Sequence, residues 1–339
     1  MRPRDLIVVG AVVLVAGFAA ADALRSRAES GEQAVTTPAV QTGPTRLPGP
    51  QPQPSAPEGW PVGTLPGALV FTDAEDCRLR VIGLAGGVER PLARFLGTCE
   101  LWAAPVGQRV AYGLGPSSAD GFVPFKLADL ALPLRELGGY RALFGVVLWS
   151  QDGQRVAWCG RRRVGFDLEI GGPARRLPTC PAAFTPGGEI AYAVGNELTV
   201  EDREILRVRG GITHTTFLAD GTVVLEVNGE RLEKYGPDGF RRYTVGLPAE
   251  LQGRTPIVSP DGCGVLFRHP DRDEIHLINL GCPSGPEPRV FNGRAAAWDP
   301  EGHWIAVAES EAIAFHQVVG GDFVARWPAV AAELAWRPR

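Results

Sequence analysis

An excess of positive charge is missing from this sequence, and lysine is nearly absent. Of its 34 basic residues only Lys126 and Lys234 are lysines, and 38 acidic residues bring the formal net charge to −4. A nucleic-acid binder carries a basic excess or stripe, so that class of partner is excluded. Long apolar runs are scarce: only residues 6–24 could cross a bilayer, and no second run is long enough. The usual catalytic fingerprints are also missing. There is no Gly-x-Ser-x-Gly elbow, no phosphate loop and no dinucleotide motif. None of the five histidines, His214, His269, His276, His303 and His316, pairs at ligand spacing, and no Cys-x-x-Cys occurs. No catalytic residue, metal or cofactor is therefore expected.

Glycine and proline are plentiful instead, at 43 and 30 of 339 residues. Turn formers at that density exclude a long-helix protein and leave disorder or many short strands. Part of the surplus is local. Nine prolines and only two charges, Arg46 and Glu58, fall in the 29 residues from Pro38 to Pro66. Such a tract is extended and cannot build a core, so it acts as a semi-rigid spacer.

Before the spacer, residues 6–24 read LIVVGAVVLVAGFAAADAL behind Arg2 and Arg4. This suits a membrane helix with a cytoplasmic N-terminus. Ala21-Asp22-Ala23 also suits a signal-peptide cleavage site. Either reading sends the rest of the chain out of the cytoplasm. The expected division is a cytoplasmic N-terminus at 1–5, a transmembrane helix or signal segment at 6–24, a disordered linker at 25–64 and a folded domain at 65–339.

The folded part repeats. A short apolar run, a turn ending in glycine and a second apolar run recur, as in Ile257-Val258-Ser259-Pro260-Asp261-Gly262 before Val265-Leu266-Phe267. Other copies centre on Ser150-Gln151-Asp152-Gly153, Thr185-Pro186-Gly187-Gly188, Leu218-Ala219-Asp220-Gly221 and Asp299-Pro300-Glu301-Gly302. Proline presets the first turn angle, aspartate bonds its own backbone, and glycine takes the positive φ that lets two strands meet. With Gly67 and Gly107 there are seven marker glycines, spaced 40, 46, 35, 33, 41 and 40 residues apart, about one four-stranded propeller blade each. Leu69-Val70-Phe71 looks like a second strand lacking a first, and Leu334-Ala335-Trp336 looks like a first strand lacking a second. The chain is thus expected to be an all-β, seven-bladed propeller in which the C-terminal strand closes the first blade. Six blades would result if residues 113–143 failed to form strands. Trp149, Trp298 and Trp336 hold equivalent inner-strand positions and should pack between blades.

The Ser259-Pro260-Asp261-Gly262 turn and its relatives resemble the repeats of TolB-like propellers over about residues 65–339. The resemblance implies a domain that binds partners or ligands. It says little about a site, because the motif is a turn.

Six cysteines, Cys77, Cys99, Cys159, Cys180, Cys263 and Cys282, lie outside the apolar segment, an even number that suits disulfides in an exported chain. With strands lettered A to D outward, B–C loops and D–A connections share one rim, and A–B turns and C–D loops share the other. Sequential pairing, 77–99, 159–180 and 263–282, is the scheme that keeps every bridge within a blade.

The candidate binding surface is the B–C/D–A rim, where loops of all blades surround one axis. Asp76, Arg161, Arg162, His269 and Asp271 are expected to gather there near the channel mouth. The adjacent arginines suit a carboxylate or phosphate, since a guanidinium fork matches both. These features suggest a non-enzymatic, membrane-anchored, extracytoplasmic module that binds a protein, a peptide or a cell-envelope component. Its membrane contact would be the N-terminal helix, or it would be secreted after signal cleavage. The rival is a propeller hydrolase or lyase with carboxylates in the channel. No inner-strand pair of carboxylates is evident in the sequence.

Overall fold

The computed structural model describes residues 60, 64–93, 99–113, 121–130, 135–143, 147–320 and 323–337. The expected cytoplasmic segment, membrane or signal segment and most of the spacer lie outside the described residues. Among the described residues no helix is long and apolar enough to cross a membrane. Helix there is limited to two single 3-10 turns, Arg161–Arg163 and Ala249–Leu251.

The strands form seven four-stranded antiparallel sheets. Blade 1 takes its A strand, Ala331–Arg337, from the far end of the chain, followed by Ala68–Asp73, Leu79–Gly83 and Val88–Ala93. Blades 2 to 7 run A to D in chain order. Their A strands are Leu101–Ala103, Val147–Trp149, Ala183–Phe184, Ile212–Phe217, Ile257–Val258 and Ala295–Trp298. The A strands make the inner ring, and those of blades 7, 1, 2, 3, 4 and 5 touch in succession. The irregular stretch after Gly113 supplies the C and D strands of blade 2, Phe122–Asp129 and Arg135–Leu143, so the ring has seven blades and not six. It closes without a covalent link: Trp336 pairs with Leu69 and Leu334 with Phe71 across the first blade. Closure removes the sheet edges an open array would expose.

The repeat turns fold as their chemistry dictates. Gly262 sits at φ 67° and Gly153 at φ 64°, where a Cβ would be strained. Ser259 Oγ accepts from the backbone N–H of Cys263 at 3.1 Å and Gly264 at 2.8 Å, and Asp261 Oδ1 accepts from Cys263 N at 3.0 Å. In blade 3, Arg155 N donates to Ser150 Oγ at 2.9 Å and Gln154 N donates to Asp152 Oδ1 at 3.0 Å.

The core lies between blades. Trp298 Nε1 donates 2.9 Å to the Ile257 carbonyl and Trp149 Nε1 donates 3.0 Å to that of Trp102, each reaching the inner strand of the preceding blade. Trp336 differs: its indole N–H donates 2.9 Å to the Pro66 carbonyl of its own blade, while its ring stands edge-on to Phe315 of blade 7 at 5.5 Å. Trp60, in the stretch read as spacer, is buried. It meets Phe315 and Trp327 edge-on at 5.5 and 5.1 Å and donates 2.9 Å to the Leu84 carbonyl. The packed core therefore includes a residue before position 64.

All six cysteines are bridged, as Cys77–Cys99, Cys159–Cys180 and Cys263–Cys282. Each bridge stays within one blade, the first two on the B–C/D–A rim and the third on the other. Three disulfides point to an oxidising compartment.

Candidate functional site

The inner ring has a shared register. Ala104 N donates to Arg109 O and Leu218 N donates to Thr222 O, closing the A–B hairpins of blades 2 and 5. Arg337, paired with Ala68, holds the matching place in blade 1. Four residues before these positions stand Glu100, His214 and Glu333. Equivalent residues of different blades thus lie at one level of the ring, toward the B–C/D–A rim.

A cavity of about 870 Å³ runs along the channel between the inner strands of blades 2, 6, 7 and 1, from Pro105 and Pro260 on the A–B rim to His269 and Pro270 at that mouth. Trp102, Trp298 and Trp336 line it, together with five polar residues, Arg254, Thr255, Arg268, His269 and Glu333. Between blades 6 and 1, blade 7 contributes the small side chains of Ala296 and Ala297 to the wall. Arg268, the last residue of the B strand Gly264–Arg268 in blade 6, spans that gap: its Nη1 lies 3.7 Å from Glu333 Oε1 on blade 1. Both side chains stay open to the channel, at 54% and 37% exposure.

Electrostatics at the mouth are unusual for carboxylates. Glu333 is surrounded by protein, and the cost of ionising there pushes its carboxyl up to about 7; Arg268 opposes the shift and the charge of Glu100 adds to it. Glu100 is itself raised by burial, and its Oε2 is buried without a hydrogen-bond partner. At the same level, burial holds His214 down at about 4, so it is neutral at physiological pH. The charge of Glu100 is felt at Glu333 although the two are far apart in sequence.

The five rim candidates meet only in part. All lie on B–C connections: Asp76 in blade 1, Arg161 and Arg162 in blade 3, His269 and Asp271 in blade 6. Only His269 lines the cavity. It is buried, stacks on His276 at 5.8 Å, and its Nδ1 accepts from Asp271 N at 3.1 Å. Asp76 is engaged by Arg78 at 3.1 Å. Arg162 is exposed in a left-handed conformation at φ 57°, and Asp271 is exposed on its loop.

Two further clusters lie on the opposite rim. Ligand atoms of Asp299, Glu301 and His303 fall within 4.8 Å of one another. Asp299 is already occupied as a turn cap, accepting from Trp304 N at 2.7 Å and Glu301 N at 3.3 Å. Between blades 1 and 2 a cavity of about 590 Å³ is bordered by Arg337, a buried guanidinium whose Nε and Nη2 have no partner.

Sequence reasoning missed Glu100, Arg254, Arg268 and Glu333. The signal was available: counting four residues back from each hairpin picks out the first and last of these.

No family model matches the sequence, and no curated protein matches it. Solved structures do. A putative 6-phosphogluconolactonase from Bacteroides fragilis is 13% identical over 80% of this chain and 98% of that one, with a TM-score of 0.53. A putative 6-phosphogluconolactonase from Bacteroides uniformis is 14% identical over 79% and 98%, also with a TM-score of 0.53. Identity that low speaks to fold alone. Fold and comparison agree that the chain carries a seven-bladed β-propeller.

Proposed function

We propose that this chain is a binding module of TolB-like type, exported and held at the membrane by its N-terminal segment, with the channel mouth as its recognition surface. Its partner is a protein, a peptide or a cell-envelope component. The observation that carries this reading is the mouth cavity of about 870 Å³, walled by three tryptophans with a few convergent charges. That mix of apolar wall and sparse polar groups is the usual make-up of a ligand site. The disulfides support an oxidising address, and the SPDG-type turns support the family resemblance.

Site-specific photocrosslinking in the native host tests it. A photoreactive residue at Thr255, beside the cavity, should yield a discrete adduct, and one at Glu301, on the opposite rim, should not. Equal adducts from both rims, or none from the mouth, would overturn the reading.

A second reading rests on Glu100 and Glu333. Two coupled carboxylates with raised affinity for protons are the groups an acid–base hydrolase or lyase needs. The likeness to putative lactonases makes hydrolysis of 6-phosphogluconolactone the first assay. Turnover that disappears in both Glu100→Gln and Glu333→Gln would favour the enzyme.

A further inference from the structure

The Arg268–Glu333 contact is a weak form of a pair this protein elsewhere makes strongly. Arg155 grips Asp167 with two prongs, Nε at 3.2 Å and Nη2 at 2.7 Å. Arg268 reaches Glu333 through Nη1 alone at 3.7 Å, with more than half of its side chain open. Its side-on edge, the one that holds a carboxylate in Arg155, is not engaged. Arg254 is exposed on the same cavity wall and makes no ion pair among the described residues. Arg268 therefore faces an internal carboxylate, with Arg254 on the wall of the same cavity, across a space large enough for a small molecule or a chain end.

We propose that the channel mouth binds a carboxylate on an apolar or ring-shaped body, and that this carboxylate takes Arg268 from Glu333. This rests on the reading of the mouth as a recognition surface and names the chemistry it recognises. The ligand's carboxylate lies in the plane of the Arg268 fork, as planar recognition by arginine requires. Its body lies against Trp102, Trp298 and Trp336. Glu333 is the occupant of the empty site, and losing Arg268 favours its protonation. Of the groups around it, Arg268 favours its charge and Glu100 opposes it, while His269 is tied to its own loop. Because burial already holds the Glu333 carboxyl up at about 7, the proton needed for exchange is available near neutrality.

Binding is then linked to protons. If only the neutral Glu333 state admits the ligand, apparent affinity follows the neutral fraction and falls about tenfold from pH 6 to pH 8. The probe is phenylacetate, with phenylacetamide as its uncharged twin, followed by tryptophan fluorescence and calorimetry on the full chain. Phenylacetate should bind at pH 6, about tenfold more weakly at pH 8, and phenylacetamide should not bind. Glu333→Gln should restore the pH 6 affinity at pH 8. Arg268→Gln should lose at least about tenfold, and Arg268→Lys should recover only part, since a point charge lacks the fork. Equal binding of acid and amide, or a pH dependence unchanged in Glu333→Gln, overturns the proposal. A mouth-specific crosslink in a native protein that does not bind phenylacetate at pH 6 overturns the carboxylate assignment and leaves the binding-module reading standing. Loss of any mouth-specific crosslink strikes that reading instead.

Discussion

The seam between blades 6 and 7 can be tested by a double-mutant cycle. Trp298 is buried there among Leu266, Ile275, Phe291 and Ile305 and donates 2.9 Å to the Ile257 carbonyl. Its six-membered ring is also what keeps position 264 a glycine. A Cβ on Gly264 would stand 2.9 Å from Trp298 Cη2 and 3.1 Å from Cζ2, with Pro286 Cγ at 3.0 Å. Trp298→Phe removes the indole N–H and leaves a carbonyl short of a partner, about 1–3 kcal/mol. The lost ring volume adds about 1 kcal/mol. Gly264→Ala in the native background overpacks the seam and costs about 1–3 kcal/mol. In the double mutant the phenyl ring no longer reaches the new methyl, while the Pro286 contact persists. The two costs should therefore fall short of adding, by about 1 kcal/mol. The assay is urea unfolding followed by far-UV circular dichroism, which does not depend on the altered tryptophan. Additivity within about 0.3 kcal/mol would refute the packing described for this seam.

Four further outcomes follow from the same structure. Native protein should show no reactive thiols and reduced, unfolded protein six; replacing one cysteine pair by serine, each closing about 20 residues, should cost about 3 kcal/mol. Glu333 binds its proton more tightly folded than unfolded, so the stability it contributes is present below its ordinary carboxylate range and is lost as pH rises through about 7. Urea unfolding at pH 5 and pH 8 should show Glu333→Gln losing less stability over that interval than the native protein. Trp60→Ala should cost about 3–5 kcal/mol by thermal or urea unfolding, although the residue lies in a Pro-rich tract. Arg337→Met should be neutral or stabilising by about 1 kcal/mol in the same assay, because it replaces a buried guanidinium lacking partners at Nε and Nη2.

Much of the architecture was legible because it rests on local chemistry. The marker glycines need positive φ, the aspartates and serines cap their own turns, and the spacing of these turns counts blades. Leu334-Ala335-Trp336 could be recognised as the missing inner strand because it carries the same pattern as Ala296-Ala297-Trp298. Cysteine pairing followed from topology once the strands were lettered. The mouth of the channel was not legible in the same way. Arg268 ends a B strand in blade 6 and Glu333 sits in the A strand of blade 1, and their approach depends on the alanines of blade 7 standing between them. No short window of sequence contains that geometry. Arg162 and Asp271 stand out as charged loops, but charge at a loop tip does not turn a side chain toward the axis. Trp60 was hidden by its prolines: composition read the tract as spacer, yet Trp60 and Leu65 within it are packed in the core.

The closing strand also sets an order of assembly. Trp336 bonds to Pro66, its partner 270 residues earlier in the chain. Blade 1 is thus the first to be synthesised and the last to be completed. Until Ala331–Arg337 arrives, the edge of Ala68–Asp73 has no partner and the ring is an open array of six blades and a fragment. A contact of such long range is slow to form. A chaperone or crowded neighbour has that interval in which to engage the unfinished edge. The latch that makes the finished ring edgeless also makes its maturation a single late event.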